Sequence, residues 1–270
     1  MVDDLFAVED LRLSLPDLSA KPLFGPAPKI DILKGLTFTI PRGHVVGIVG
    51  ESGSGKSTLG RTLVRLYEPT GGTILFNGAD ISHADQTALA PHRRDLQMIF
   101  QDPMTSLNPR KTIGAIIGGP VRFHGLTDTP KAAAEAALER VGLPVAFVRR
   151  YPHELSGGQR QRVGIARAIA LDPKFILADE IVSGLDVSSQ AQIIALLRDI
   201  VAELDLTMAF ISHDLSVIRH FCDRVIVMRS GEIVEQGETA SLFENPQNSY
   251  TRDLKAAIPL PEIDAEWLAS

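Results

Sequence analysis

Apolar residues recur along this chain in two rhythms. Alternation with a period of two marks strands, because successive side chains on an extended backbone point to opposite faces. Leu5 to Leu15 alternates imperfectly and predicts a strand, and Leu36-Thr37-Phe38-Thr39-Ile40 predicts another, closed by the turn Pro41-Arg42-Gly43. Between them, the proline-broken segment Pro16 to Pro28 predicts an exposed loop. The run His44-Val45-Val46-Gly47-Ile48-Val49 predicts a third strand, and Leu59 to Leu66 a helix. Thr73-Ile74-Leu75-Phe76 then meets Asn77-Gly78, a dipeptide suited to a tight hairpin turn. The first part of the chain thus has an antiparallel character beside the third strand.

Leu96 to Phe100 predicts a buried strand, after which helical signals dominate from Gln101 to about Leu171. Asp128-Thr129-Pro130 offers a cap followed by proline in the first turn, Lys131 to Arg140 is alanine-rich, and Gly142 is placed to end the helix. Ala133, Ala137, Leu138 and Val141 share one face. A second helix is expected to begin near Arg160. Lys174 to Glu180 resumes the strand pattern, Ser188 to Leu204 predicts a helix with Ile193, Leu196, Leu197, Ile200 and Leu204 on one side, and Thr207 to Ser212 predicts the next strand. Strand, helix and strand at this spacing imply crossover units and a mostly parallel sheet. Arg224 to Arg229, the turn Ser230-Gly231 and Glu232 to Glu235 predict a closing hairpin, with short helices near Thr239 to Phe243 and Tyr250 to Ala257. Pro259 to Ser270 is expected to be extended.

Composition narrows the class. With 270 residues, 44% hydrophobic and 22% charged, the chain can bury a substantial core in one or two domains. The net charge of −6 is spread out, and the basic residues form no long blocks, which argues against nucleic acid as the main partner. No apolar run reaches the length of about 18 residues that crosses a bilayer, so membrane association is expected to come through a partner. The acidic start Met1-Val2-Asp3-Asp4-Leu5 is unlike a basic secretory signal, so the chain is expected to remain on the cytoplasmic side. A single cysteine, Cys222, excludes an internal disulfide and any all-cysteine metal site, and reads as a small buried hydrophobe.

The chemistry starts at Gly50-Glu51-Ser52-Gly53-Ser54-Gly55-Lys56-Ser57-Thr58, set between a strand and a helix. Glycines let the backbone wrap around phosphate oxygens, and successive N–H groups with the helix N-terminus supply fixed positive potential. Lys56 would reach the β- and γ-phosphates and the Ser57 hydroxyl would hold Mg²⁺. The stretch points to a bound nucleoside triphosphate. Asp179 closes an apolar strand, where it could hold Mg²⁺ directly or through water, and Glu180 could accept a proton from the attacking water. Gln101, just after a strand, could sense Mg²⁺ and water. Leu155-Ser156-Gly157-Gly158-Gln159 offers N–H groups, a hydroxyl and a helix dipole to an anion. Two such helix starts meet in one chain only if they lie close; otherwise one chain's loop faces another's phosphate in a two-fold pair. His213, at a strand's carboxyl end, could donate a hydrogen bond to the γ-phosphate.

In order and spacing, Gly50 to Thr58, Gln101, Leu155 to Gln159, Phe175 to Glu180, Ser183-Gly184-Leu185-Asp186 and His213 resemble the ATP-binding subunit of ABC transporters. In that family's terms they look like the Walker A motif, Q-loop, signature motif, Walker B motif, D-loop and switch histidine. The resemblance implies an α/β fold: a P-loop NTPase core with a mostly parallel sheet, an N-terminal antiparallel β subdomain and an inserted helical subdomain. Residues 1–100 and 172–258 would form the core with its β subdomain, 101–171 the insertion, and 259–270 a tail. It also implies ATP with Mg²⁺, and a second ATP-binding subunit, identical or paralogous, whose site Ser156 and its glycines complete while Asp186 lies at the shared boundary.

Phe100 to Arg110 and Asn245 to Leu254 further resemble the oligopeptide, dipeptide and nickel importer branch. That branch implies two integral membrane permease subunits, a solute-binding protein outside the membrane, and a place at the cytoplasmic face of the membrane. A soluble complex, such as one degrading phosphonates, is the alternative. Where the family stacks an aromatic on adenine this chain has Leu15, leaving Phe24 or Ile30 as candidates, and Ile181-Val182 replaces the proline usual after the glutamate. Gly118-Gly119-Pro120 stands where the branch has an acidic residue before proline.

Overall fold

The computed structural model describes residues 3–17 and 25–256, with the side chains of Pro103 and Met104 outside the description. Phe24, the last part of the proline-broken segment before Gly25, and the tail beyond Ala256 lie outside the described residues. The strands are β1 (Asp4–Pro16), β2 (Lys29–Pro41), β3 (Val45–Val49), β4 (Gly71–Phe76), β5 (Ala79–Asp80), β6 (Leu96–Ile99), β7 (Phe175–Asp179), β8 (Thr207–Ile211), β9 (Arg224–Arg229) and β10 (Glu232–Glu238). The helices are α1 (Lys56–Leu63), α2 (Gln86–Leu89), α3 (Pro103–Ser106), α4 (Ile113–Phe123), α5 (Pro130–Arg140), α6 (Gly157–Ile169), α7 (Val187–Leu204), α8 (Leu215–Phe221), α9 (Thr239–Glu244) and α10 (Ser249–Ala256).

They build two sheets. One has four strands in the order β2-β1-β4-β5, all antiparallel, and the other six in the order β10-β9-β3-β8-β7-β6. In the second sheet only β10 is antiparallel to its neighbour. The expected antiparallel strands are therefore not beside β3, whose neighbours are the parallel strands β8 and β9.

The central strands are buried on both faces, as parallel strands covered on each side must be. Period two divides them between two cores. Val45 and Val49 join Ile176, Ala178 and the helices α4 to α8, whereas Val46 and Ile48 join Leu177, Ile211, α1 and the antiparallel sheet. Phe6 ties the layers: its ring lies 5.0 Å from Phe76 and 4.7 Å from Phe175. Truncating such a buried ring costs about 3–5 kcal/mol. At Gly60, α1 comes so close to β7 that an added Cβ would sit 2.7 Å from a Leu177 methyl.

Several local expectations need correction. β2 begins at Lys29, well before the alternating stretch, because Leu33, Ile30 and their neighbours pair with β1 across several register shifts that blur the pattern. α6 starts at Gly157 rather than near Arg160, since Ser156 caps it. Thr129 precedes α5 without a side-chain cap; its hydroxyl instead meets the Thr127 hydroxyl at 3.1 Å. Ala134, not Ala133, joins Ala137, Leu138 and Val141 in the core. Glu180 falls just beyond β7 with φ +49 rather than within the strand.

Candidate active site

The parallel order places the carboxyl ends of β3, β8, β7 and β6 side by side. Gly50 follows the first, His213 the second and Gln101 the fourth, while Asp179 closes the third and Glu180 follows it, so four separated segments line one edge of the sheet. This edge is where parallel sheets bind ligands.

The loop after β3 is shaped for close backbone approach. Gly50 has φ +145, and a Cβ there would stand 2.1 Å from the Met228 carbonyl oxygen. Gly55 has φ +101 and caps α1 with no side-chain hydrogen bond, so the first N–H groups of that helix are left to other acceptors. The Ser54 hydroxyl oxygen is buried without a hydrogen-bond partner. Ser52 and Gly53 are exposed, and nothing lies within 4 Å of a Cβ built on Gly53. Thr58 is half-buried, its carbonyl accepting from Thr62 Oγ1 at 2.7 Å. Glu51 N–H donates to the Tyr250 hydroxyl at 2.9 Å, which ties the loop to α10.

Lys56 is buried, and its ammonium donates to the carbonyl oxygens of Gly50 and Glu51, both at 2.7 Å. Burial lowers its pKa from the ordinary value, while Glu180, Asp179 and Glu51 act in the opposite direction. The cation is therefore held under the loop by two backbone carbonyls, within the electrostatic influence of three carboxylates. Ser57 Oγ donates to Asp179 Oδ1 at 2.7 Å, and Arg61 Nη2 donates to Asp179 Oδ2 at 3.3 Å. Asp179 is 1% exposed, so these two partners are what make its burial tolerable. Gln101 Nε2 donates to Glu180 Oε2 at 2.9 Å, and the Ser183 hydroxyl donates to the Glu180 carbonyl at 2.8 Å.

The structure thus brings together Lys56, Ser57, Asp179, Glu180 and Gln101. It leaves Ser156 and Asp186 out of that network. Ser156 and Gln159 form a reciprocal cap at the exposed start of α6: Gln159 N–H donates to Ser156 Oγ at 3.3 Å and Ser156 N–H to Gln159 Oε1 at 3.0 Å. Nothing lies within 4 Å of a Cβ built on Gly157 or Gly158. Asp186 caps α7, accepting from Ser189 N–H at 2.9 Å and from the Ser188 and Ser189 hydroxyls. The two hydroxyls, Ser188 first, hold its carboxyl well below the usual carboxylate range. His213 is exposed. Leu15 and Ile30 face each other as register partners at the far end of the β1–β2 ribbon.

Sequence reasoning missed Arg61 and Tyr250, and named Ser183 only as the start of the segment that resembles a D-loop, without its bond to the Glu180 carbonyl. Arg61 had a signal, because it stands four residues after Ser57 and shares its helix face. Tyr250 is brought in by the fold and leaves no spacing to read.

Oxygen donors at the Ser57–Asp179 pair suit a hard cation such as Mg²⁺. No helix among the described residues is long and apolar enough to cross a membrane. Residues 33–183 match the ABC transporter family. The Bacillus subtilis oligopeptide transport ATP-binding proteins AppF and OppF are 50% and 48% identical to the chain over 234 and 245 residues. These alignments cover 86% and 89% of this chain, and 71% and 80% of the relatives. Among solved structures, the dimeric ATP-binding cassette MJ0796 in a post-hydrolysis state with ADP and Pi matches with a TM-score of 0.76 at 29% identity, over 87% of this chain and 98% of that one. The cassette cbiO1 of Clostridium perfringens, part of the cbiONQ transporter complex, matches with a TM-score of 0.75 at 29% identity, over 90% and 92%. The mixed sheet, the phosphate loop and these relatives lead to one conclusion: the chain is a nucleotide-binding ATPase and belongs to the ABC transporter family.

Proposed function

We propose that this chain binds and hydrolyses ATP to drive uptake of a peptide or similar small solute through two separate integral membrane permease subunits. A solute-binding protein outside the membrane would deliver the cargo, and the chain would sit at the cytoplasmic face. What supports the cargo class is the near 50% identity to AppF and OppF, named for oligopeptide transport. What supports the chemistry is one observation above others: the Gln101–Glu180 and Ser57–Asp179 pairs, at 2.9 and 2.7 Å, on the same edge of the sheet.

Phosphoryl transfer to water requires positioning and charge neutralisation more than covalent help from the protein. In this reading Lys56 and the N–H groups of Gly50 to Thr58 hold the triphosphate, and Ser57, Asp179 and Gln101 hold Mg²⁺. When bound, Mg²⁺ supplies positive charge against the phosphate oxygens. Glu180 accepts the proton of the attacking water, Gln101 orients Glu180, and His213 donates to the γ-phosphate. Ser156, Gly157, Gly158 and Gln159 complete the site of a second ATP-binding subunit across a two-fold axis, and Asp186 lies at that boundary. Residues 101–171 act as one helical subdomain facing the membrane partner, with 1–100 and 172–258 as the nucleotide-binding core.

Purification of the tagged chain from detergent-solubilised membranes is expected to bring down a permease pair. Recovery with a soluble lyase complex instead would replace import by the alternative.

A further inference from the structure

A cavity of about 370 Å³ separates the start of α6 from the segments that follow β6 and β7, and Gln101, Gly157, Gln161, Ser183 and Gly184 are among the residues that line it. Gln161 is 2% exposed, yet its Nε2 is buried without a hydrogen-bond partner. Leaving a buried donor unmade is costly, and native structures keep few of them. One reason to keep such a group is a second state in which it is satisfied.

The loop of residues 181–185 indicates what that state is. Gln190, on α7, donates through Nε2 to the carbonyl oxygens of Val182 at 3.1 Å and Leu185 at 3.2 Å. One glutamine therefore fastens this loop to α7, while the glutamine that α6 contributes to the cavity leaves its amide nitrogen unbonded. The loop matters because Ser183 is bonded to the Glu180 carbonyl and lies 3.5 Å from Gln101 Nε2, which in turn holds the Glu180 carboxylate. Where the loop sits, the Glu180 side chain follows. Gln161 is also only five residues beyond Ser156, little more than one turn along α6.

We propose that Gln161 is a positioning residue for hydrolysis. When α6 closes on the 181–185 loop, its amide donates to an acceptor on that loop or on Gln101 and fixes Gln101, Ser183 and Glu180 relative to one another. Because Ser156 and Gln161 ride on one helix, contact of α6 with a partner's phosphate sets the base in its own chain. The inference rests on the reading of Glu180 as the base.

Gln161→Met in the full-length chain keeps the length of the side chain and removes the donor. The expected result is an unchanged or raised unfolding midpoint, an unchanged KM for ATP, and a kcat lowered about 10- to 100-fold, the scale of a misplaced catalytic group. In the Glu180→Gln background, the ATP-trapped dimer measured by gel filtration should decrease. A wild-type kcat, or a kcat and an unfolding midpoint that fall together, would overturn the proposal, the second by making Gln161 a packing residue. Normal turnover in Glu180→Gln alone would remove the base beneath the proposal, a result separable from either.

Discussion

The two helices proposed to present their N-termini to phosphate begin in opposite ways. α1 starts from a glycine with φ +101 and no side-chain cap, over a buried lysine. α6 starts from Ser156 with a complete capping box, in which Ser156 and Gln159 satisfy one another. An uncapped helix start leaves all its first N–H groups to a ligand, whereas the capping box of α6 already engages one of them, the Gln159 N–H, together with the Ser156 hydroxyl that accepts it. The difference teaches that α1 is preorganised within one chain. α6, in contrast, is a stable surface feature until something competes with its cap. In the proposed two-copy site this asymmetry makes α1 the stronger holder of phosphate within one chain and α6 the weaker one.

The largest test freezes the encounter. Glu180→Gln should lower ATP turnover by about 10²- to 10⁴-fold, the contribution of a general base. Nucleotide affinity should stay intact and a closed dimer should accumulate, the state in which α6 is expected to exchange its cap for phosphate. Normal steady-state turnover in that variant would take Glu180 out of the chemistry. Next in size, Lys56→Ala should weaken nucleotide binding to the isolated chain about 10- to 150-fold, the value of a hydrogen bond to a charged group. Calorimetric titration measures it. The smallest effect sharpens the contrast most. Ser156→Ala should destabilise the chain by about 0.5–2 kcal/mol through its lost cap, and cripple turnover, while leaving affinity in the monomer untouched. Equal loss of monomer binding in the Lys56 and Ser156 variants would erase the distinction between the helices.

Much of this was legible from residues alone, wherever a local rule decided the outcome. The Asn77-Gly78 hairpin, the parallel strands and the glycine loop before α1 all follow from spacing and turn chemistry. What escaped was set by distant parts of the chain. Periodicity alone sets the antiparallel strands beside β3; their separate sheet is implied by the family resemblance, and the residue pattern cannot tell which edge β1 finds. The sequence puts the start of α6 near Arg160, and the reciprocal bonds of Ser156 and Gln159 bring Gly157 and Gly158 into the helix. α8 was missed because seven residues carry too little periodicity. In the candidate site, residue types and spacing name Ser57, Asp179, Gln101 and Glu180, but their pairing across 122 and 79 residues of sequence is a product of strand order. Arg61 lay within reach of a helix-face argument; Tyr250, meeting Glu51 across 199 residues, did not.

That last separation bears on how the chain comes off the ribosome. β3, at residues 45–49, is flanked by strands at 207–211 and 224–229, and its loop is tethered by Tyr250. At a synthesis rate of about 5–20 residues per second, the phosphate-gripping segment waits roughly ten seconds or more for its neighbours. Throughout that interval the antiparallel sheet of the first 80 residues can already close on itself. The nucleotide pocket is thus among the last parts to be finished, and a nascent chain cut short before residue 207 holds the whole glycine motif with neither strand that pairs with β3.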